Sequence, residues 1–69
     1  MTSNDYAKLK NVRTNDYIKS IKKLGYDHTR TNGSHFIFTG NNLPMLSIPN
    51  HDKISPGVWR NLGKLLNLV

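Results

Sequence analysis

The chain has 69 residues, with 10 Lys and Arg against 4 Asp and Glu, and a formal net charge of +6 at pH 7. That length holds one small domain. The absence of cysteine removes disulfides, thiolate metal sites and cysteine nucleophiles, so the fold depends on its apolar core alone.

The charge excess favours a polyanionic partner, with RNA and DNA foremost. No apolar run is long enough to span a bilayer, no signal-peptide core opens the chain, and no basic amphipathic helix stands apart from the core pattern. A cytoplasmic protein with no membrane partner is therefore expected.

Residues 1–12 are polar, with isolated apolar positions at Tyr6, Leu9 and Val12, and are expected to form an N-terminal tail or docking segment ahead of a single domain over residues 13–69. From Thr14 the pattern is helical. Thr14 is placed as the N-cap and Asp16 falls in the first turn, where the helix dipole favours an anion. Tyr17, Ile18, Ile21 and Leu24 recur on one helical face, with Lys19, Lys22 and Lys23 opposite. Gly25 stands where a left-handed terminating residue is expected.

Strand-like sequence follows in three pieces: Tyr26 to Arg30, Ser34 to Thr39 and Leu43 to Ile48. They are separated by turns at Thr31-Asn32-Gly33 and Gly40-Asn41-Asn42, and turns this short imply an antiparallel meander. After the loop Pro49-Asn50-His51-Asp52-Lys53, Ser55 followed by Pro56 marks a second helix start. Val58, Leu62, Leu65 and Leu66 form its apolar stripe, flanked by Trp59. Gly63 within it indicates either close packing or a tolerated defect. The order is α-β-β-β-α: an α+β, two-layer domain with two helices on one face of a three-stranded antiparallel sheet and the other face open.

Within the middle strand His35 alternates with Phe36 and Phe38. If the two phenylalanines fill the core, His35 lies on the open face. Imidazoles exchange protons near neutral pH and suit acid–base chemistry on RNA, although the same pattern also describes an ordinary exposed strand histidine. Ser34 is a turn or strand-entry residue that could orient a substrate. His51 is either a loop hydrogen-bonding residue or a supporting group, and His28 is structural. The spacing of His28, His35, His51 and Asp52 matches no compact zinc pattern, so no metal site is expected. Lys19, Lys22, Lys23, Arg30, Arg60 and Lys64 are the candidate phosphate-binding cations. Tyr17, Tyr26, Phe36, Phe38 and Trp59 fall on apolar faces and suit a core better than a base-stacking platform. DNA binding by a helix-turn-helix fits poorly, because strands separate the two helices.

Four segments in this order carry a resemblance: Thr14 to Tyr26 (TNDYIKSIKKLGY), Gly33-Ser34-His35-Phe36-Ile37-Phe38, Ile48-Pro49-Asn50-His51, and Ile54 to Leu68 (ISPGVWRNLGKLLNL). Together they resemble the HicA toxin family over nearly everything from about Leu9 onward, with Gly-Ser-His after a helix ending in Leu-Gly-aromatic as the most specific part. The chain departs from relatives in carrying aromatics at both Phe36 and Phe38. The resemblance implies a fold similar to the double-stranded-RNA-binding domain, and the function of an mRNA interferase toxin neutralised by a HicB-like antitoxin. It also implies that His35 is the catalytic histidine. Since RNA supplies its own 2′-hydroxyl nucleophile, this chemistry calls for no metal or other cofactor, and a further assembly of toxin–antitoxin pairs is compatible with it. The competing expectation is a non-catalytic RNA-binding module on the same fold.

Overall fold

The computed structural model describes residues 1–69. In chain order it contains α1 (Ser3–Ala7), α2 (Thr14–Lys22), β1 (Asp27–Asn32), β2 (His35–Gly40), β3 (Leu43–Pro49) and α3 (Pro56–Leu65). The strands form one antiparallel sheet in the order β1-β2-β3. The expected α-β-β-β-α layout is present, with one short helix ahead of it.

The apolar spacing that defines α2 buries Tyr17 and Ile21 and leaves Ile18 and Leu24 half-buried. Its start differs from expectation. Arg13 occupies the N-cap position without a side-chain hydrogen bond, and Thr14 is already helical. The Thr14 hydroxyl donates to the His51 carbonyl, and its backbone N–H donates to the Asp52 carbonyl at 3.0 Å. One of the unpaired donors of the helix start is thus satisfied by a loop distant in sequence. The same junction carries a β-bridge between Arg13 and Lys53 and an Ile54 N–H to Val12 carbonyl bond of 2.9 Å.

In α3, Ser55 accepts a hydrogen bond from the Val58 N–H at 3.3 Å and Pro56 opens the first turn, as expected. The buried stripe agrees with the sequence expectation at Val58, Leu62 and Leu66 and departs from it at Leu65. Leu62 and Gly63 are buried and Trp59 and Leu66 half-buried, whereas Leu65 is 53% exposed.

Residues 1–12 carry α1, whose first turn is closed by a reciprocal pair: Asp5 N–H to Thr2 Oγ1 at 3.1 Å and Thr2 N–H to Asp5 Oδ2 at 3.2 Å. Those bonds from Thr2 hold the Asp5 carboxyl below its ordinary titration range. Tyr6 is fully buried and stacks on Trp59, with ring centroids 5.1 Å apart. The close packing admitted at Gly63 is real, since a Cβ there would lie 2.6 Å from Tyr6 Cε2 and would also meet Val69 Cγ2.

The core joins Tyr6, Tyr17, Ile21, Tyr26, Phe38, Leu46, Ile48, Ile54 and Leu62. Its phenols are partnered. The Tyr6 hydroxyl donates to the Trp59 carbonyl at 2.6 Å and lies 2.8 Å from the Tyr17 hydroxyl, and the Tyr26 hydroxyl donates to the Pro44 carbonyl at 2.6 Å. The Trp59 indole N–H returns a 3.0 Å bond to the Tyr6 carbonyl. No buried side-chain nitrogen or oxygen lacks a partner, the condition under which polar groups can be buried without a large penalty.

Candidate functional site

The pleat of β2 sends alternate side chains to opposite faces of the sheet. Phe38 enters the core beside Leu46, its partner in register, and Phe36 stands opposite Ile48 on the same side. His35 consequently lies on the face away from the helices, where it is exposed. Across the strands it is directly opposite Asn32 of β1 and Pro49 of β3.

Two segments far apart in sequence meet at this end of the sheet. The Gly33-Ser34 turn leads into His35, and β3 runs out into Pro49-Asn50-His51. The Asn50 N–H donates to the Ser34 carbonyl at 2.7 Å, and the His51 N–H turns back to the Pro49 carbonyl at 2.9 Å. Ser34, His35 and His51 thus share one end of the sheet, all three exposed. His51, Asn50 and Asp52 line a recess with Arg13, Thr14 and Asn15 that contains no apolar side chain. The Thr14 hydroxyl fixes the loop there by holding the His51 carbonyl.

His28 belongs elsewhere. Its ring lies on the helix side of the sheet, edge-on to Phe36 at 5.8 Å and tilted against Phe38 at 5.5 Å, and its Nε2 is 3.1 Å from Thr31 Oγ1. No three His, Cys, Asp or Glu side chains gather closely enough to hold a metal ion.

A protein-family model described as the HicA toxin of bacterial toxin-antitoxin systems matches residues 14–68. The chain belongs to the HicA toxin family. Its role is accordingly that of the toxin in a toxin–antitoxin pair, which implies an antitoxin partner. No curated protein and no solved structure matches the chain. No helix of the toxin is long and apolar enough to cross a membrane.

The toxin's candidate phosphate-binding cations do not form one cluster. Lys22 borders a groove between α2 and the sheet with Asn15, Ile18, His28, Phe36 and Phe38. Lys23 borders a separate groove against α1. Arg60 lies beside Lys10 and Trp59, near the chain end, while Lys19 and Lys64 are exposed on their helices. Arg30 is the one member of the set on the sheet itself, opposite Ile37.

Sequence reasoning assigned Asn32 only to a turn and missed its position facing His35. The signal was available in the turn length, because a two-residue Gly33-Ser34 connection makes Asn32 and His35 register partners.

Proposed function

We propose that this toxin is an mRNA interferase, a metal-independent endoribonuclease in which His35 is the general acid/base. The observation that carries the reading is the exposure of His35 on the uncovered face of the sheet, at the end where the polar Pro49-Asn50-His51 loop arrives. In RNA the 2′-hydroxyl is the nucleophile. The His35 imidazole takes its proton as the O2′–P bond forms, the P–O5′ bond breaks, and the leaving O5′ takes a proton from solvent water. The products are a 2′,3′-cyclic phosphate and a 5′-hydroxyl. His51 and Ser34, at the same end of the sheet, support the bound strand, and Lys19, Lys22, Lys23, Arg30, Arg60 and Lys64 supply the attraction for phosphate.

A HicB-like antitoxin with acidic or hydrogen-bonding groups laid over His35 and the neighbouring Arg30 would block RNA entry, and such pairs can assemble further. An mRNA substrate and an antitoxin made beside it are both cytoplasmic, so the same reading has the toxin act in the cytoplasm.

The test is incubation of purified toxin with RNA in the presence of chelator. The expected result is fragments with cyclic phosphate ends, absent with His35→Ala and absent where the cut site carries a 2′-deoxy sugar. Products with 5′-phosphates would overturn the mechanism, and RNA bound but left intact would mark a binding module instead.

A further inference from the structure

Resting on the ribonuclease reading, we propose that Arg30 is the group that offsets the charge developing on the reacting phosphate beside His35, a role distinct from general attraction for RNA. The register of β1 on β2 places Arg30 beside His35. The tight turn pairs Asn32 with His35 and therefore Arg30 with Ile37, which puts Arg30 on the same face as His35 and one diagonal step from it. Diagonal neighbours in an antiparallel pair have Cβ atoms about 7–8 Å apart, within reach of a long side chain.

Side-chain contacts confirm which way β1 faces. Thr31, between Arg30 and Asn32, bonds to His28 on the helix side, where His28 rests on Phe36 and Phe38. Thr29 bonds to Thr39 on the opposite, open side. Thr29 is the extra residue of a bulge between His28 and Arg30. In such a bulge two consecutive residues oppose one residue of the partner strand. The bulge turns His28 away from the open face while Arg30 stays on it.

Ile37, directly opposite Arg30 on this face, is only 6% exposed, whereas Arg30 is itself exposed. Arg30 is exposed, so its planar fork of donors is free to engage a ligand one diagonal step from His35. It has the geometry for two parallel hydrogen bonds to the non-bridging oxygens of a phosphate. When the O2′–P bond forms and the P–O5′ bond breaks, those oxygens carry the added negative charge. A cation already in place stabilises that arrangement more than the ground state.

The test uses the full-length toxin and a short RNA, with kcat and KM measured separately for Arg30→Ala and Arg30→Lys. A Tm within the normal spread for surface substitutions checks that each variant is folded. Removal of a preorganised charge-stabilising donor lowers kcat by about 10²–10³-fold, so Arg30→Ala is expected to fall by that amount in kcat. Its affinity for an uncleavable 2′-deoxy analogue should fall far less than kcat does. Arg30→Lys should recover part of the loss, since it restores the charge without the fork. A rise in KM with kcat intact would reduce Arg30 to one attractive cation among several and overturn the inference. An inactive His35→Ala beside a fully active Arg30→Ala overturns this inference alone. Absence of cleavage by the unaltered toxin, or full activity of His35→Ala, overturns the ribonuclease reading beneath it.

Discussion

On the helix side of the sheet, Phe36 and Phe38 stand opposite Ile48 and Leu46, and the core above them ends in the bonded phenols of Tyr6 and Tyr17. On the other side the same three strands carry His35, Arg30, Asn32, Ser47 and the 57% exposed Met45, with no helix packed over them. Both surfaces come from one pleated ribbon whose successive residues point in opposite directions. On the proposed reading, the difference teaches that stability and chemistry fall on opposite faces of β2 and should be separable by substitution, even at adjacent positions.

The sharpest way to test that separation is His35→Ala. General acid–base groups contribute about 10²–10⁴ in rate, and cleavage should fall within that range. The urea midpoint should stay within the roughly 0.5 kcal/mol typical of surface substitutions. A large loss of stability would mean that the open face also carries the fold.

Tyr6→Ala addresses the opposite face. Replacing a large buried aromatic by Ala costs about 3–5 kcal/mol, and here it also strips partners from the Tyr17 hydroxyl and the Trp59 carbonyl. In a domain of this size such a loss is comparable to the whole stability. Circular dichroism should show a chain largely unfolded at 37 °C, and a cooperative native-like melt would contradict the assignment.

The phenols give a pH signature. Burial pushes the hydroxyls of Tyr6, Tyr17 and Tyr26 above the ordinary value of 10.0. For Tyr17 the bond to Tyr6 adds to the rise. Because the folded state holds these protons more tightly than the unfolded chain, their contribution is complete below about pH 10 and is lost as pH rises toward the folded values. Denaturant midpoints should be flat through neutrality and drop above that point, with tyrosinate absorbance appearing together with unfolding. Tyrosinate appearing near pH 10 while the fold persists would break the prediction.

The smallest effect belongs to Ser55→Ala. Loss of the N-cap bond to Val58 should lower stability by about 1 kcal/mol and leave the rate per folded molecule unchanged, since α3 lies in the helix layer.

Much of this division is legible before any coordinates. The repeat of Tyr17, Ile18, Ile21 and Leu24 marks α2, Ser55-Pro56 marks the start of α3, and the alternation of Phe36 and Phe38 with His35 gives β2 its two faces. Other features have no sequence signal of that kind. All six residues of β1 are polar and exposed, so nothing in their pattern reveals the extra residue at Thr29 or the face to which Arg30 belongs. The five residues of α1 are too few to show a period, and Tyr6 is an isolated aromatic in a polar stretch until its contacts with Trp59 and Tyr17 are known. The start of α2 is legible only approximately, because Thr14 meets the loop at His51 and Asp52 through tertiary bonds rather than capping its own helix.

Tyr6 also lies ahead of the segment shared with the family, residues 14–68. A fragment trimmed to those shared borders loses the Tyr6 ring together with its bonds to Tyr17 and Trp59, so the family's shared segment depends for its folding on residues outside it.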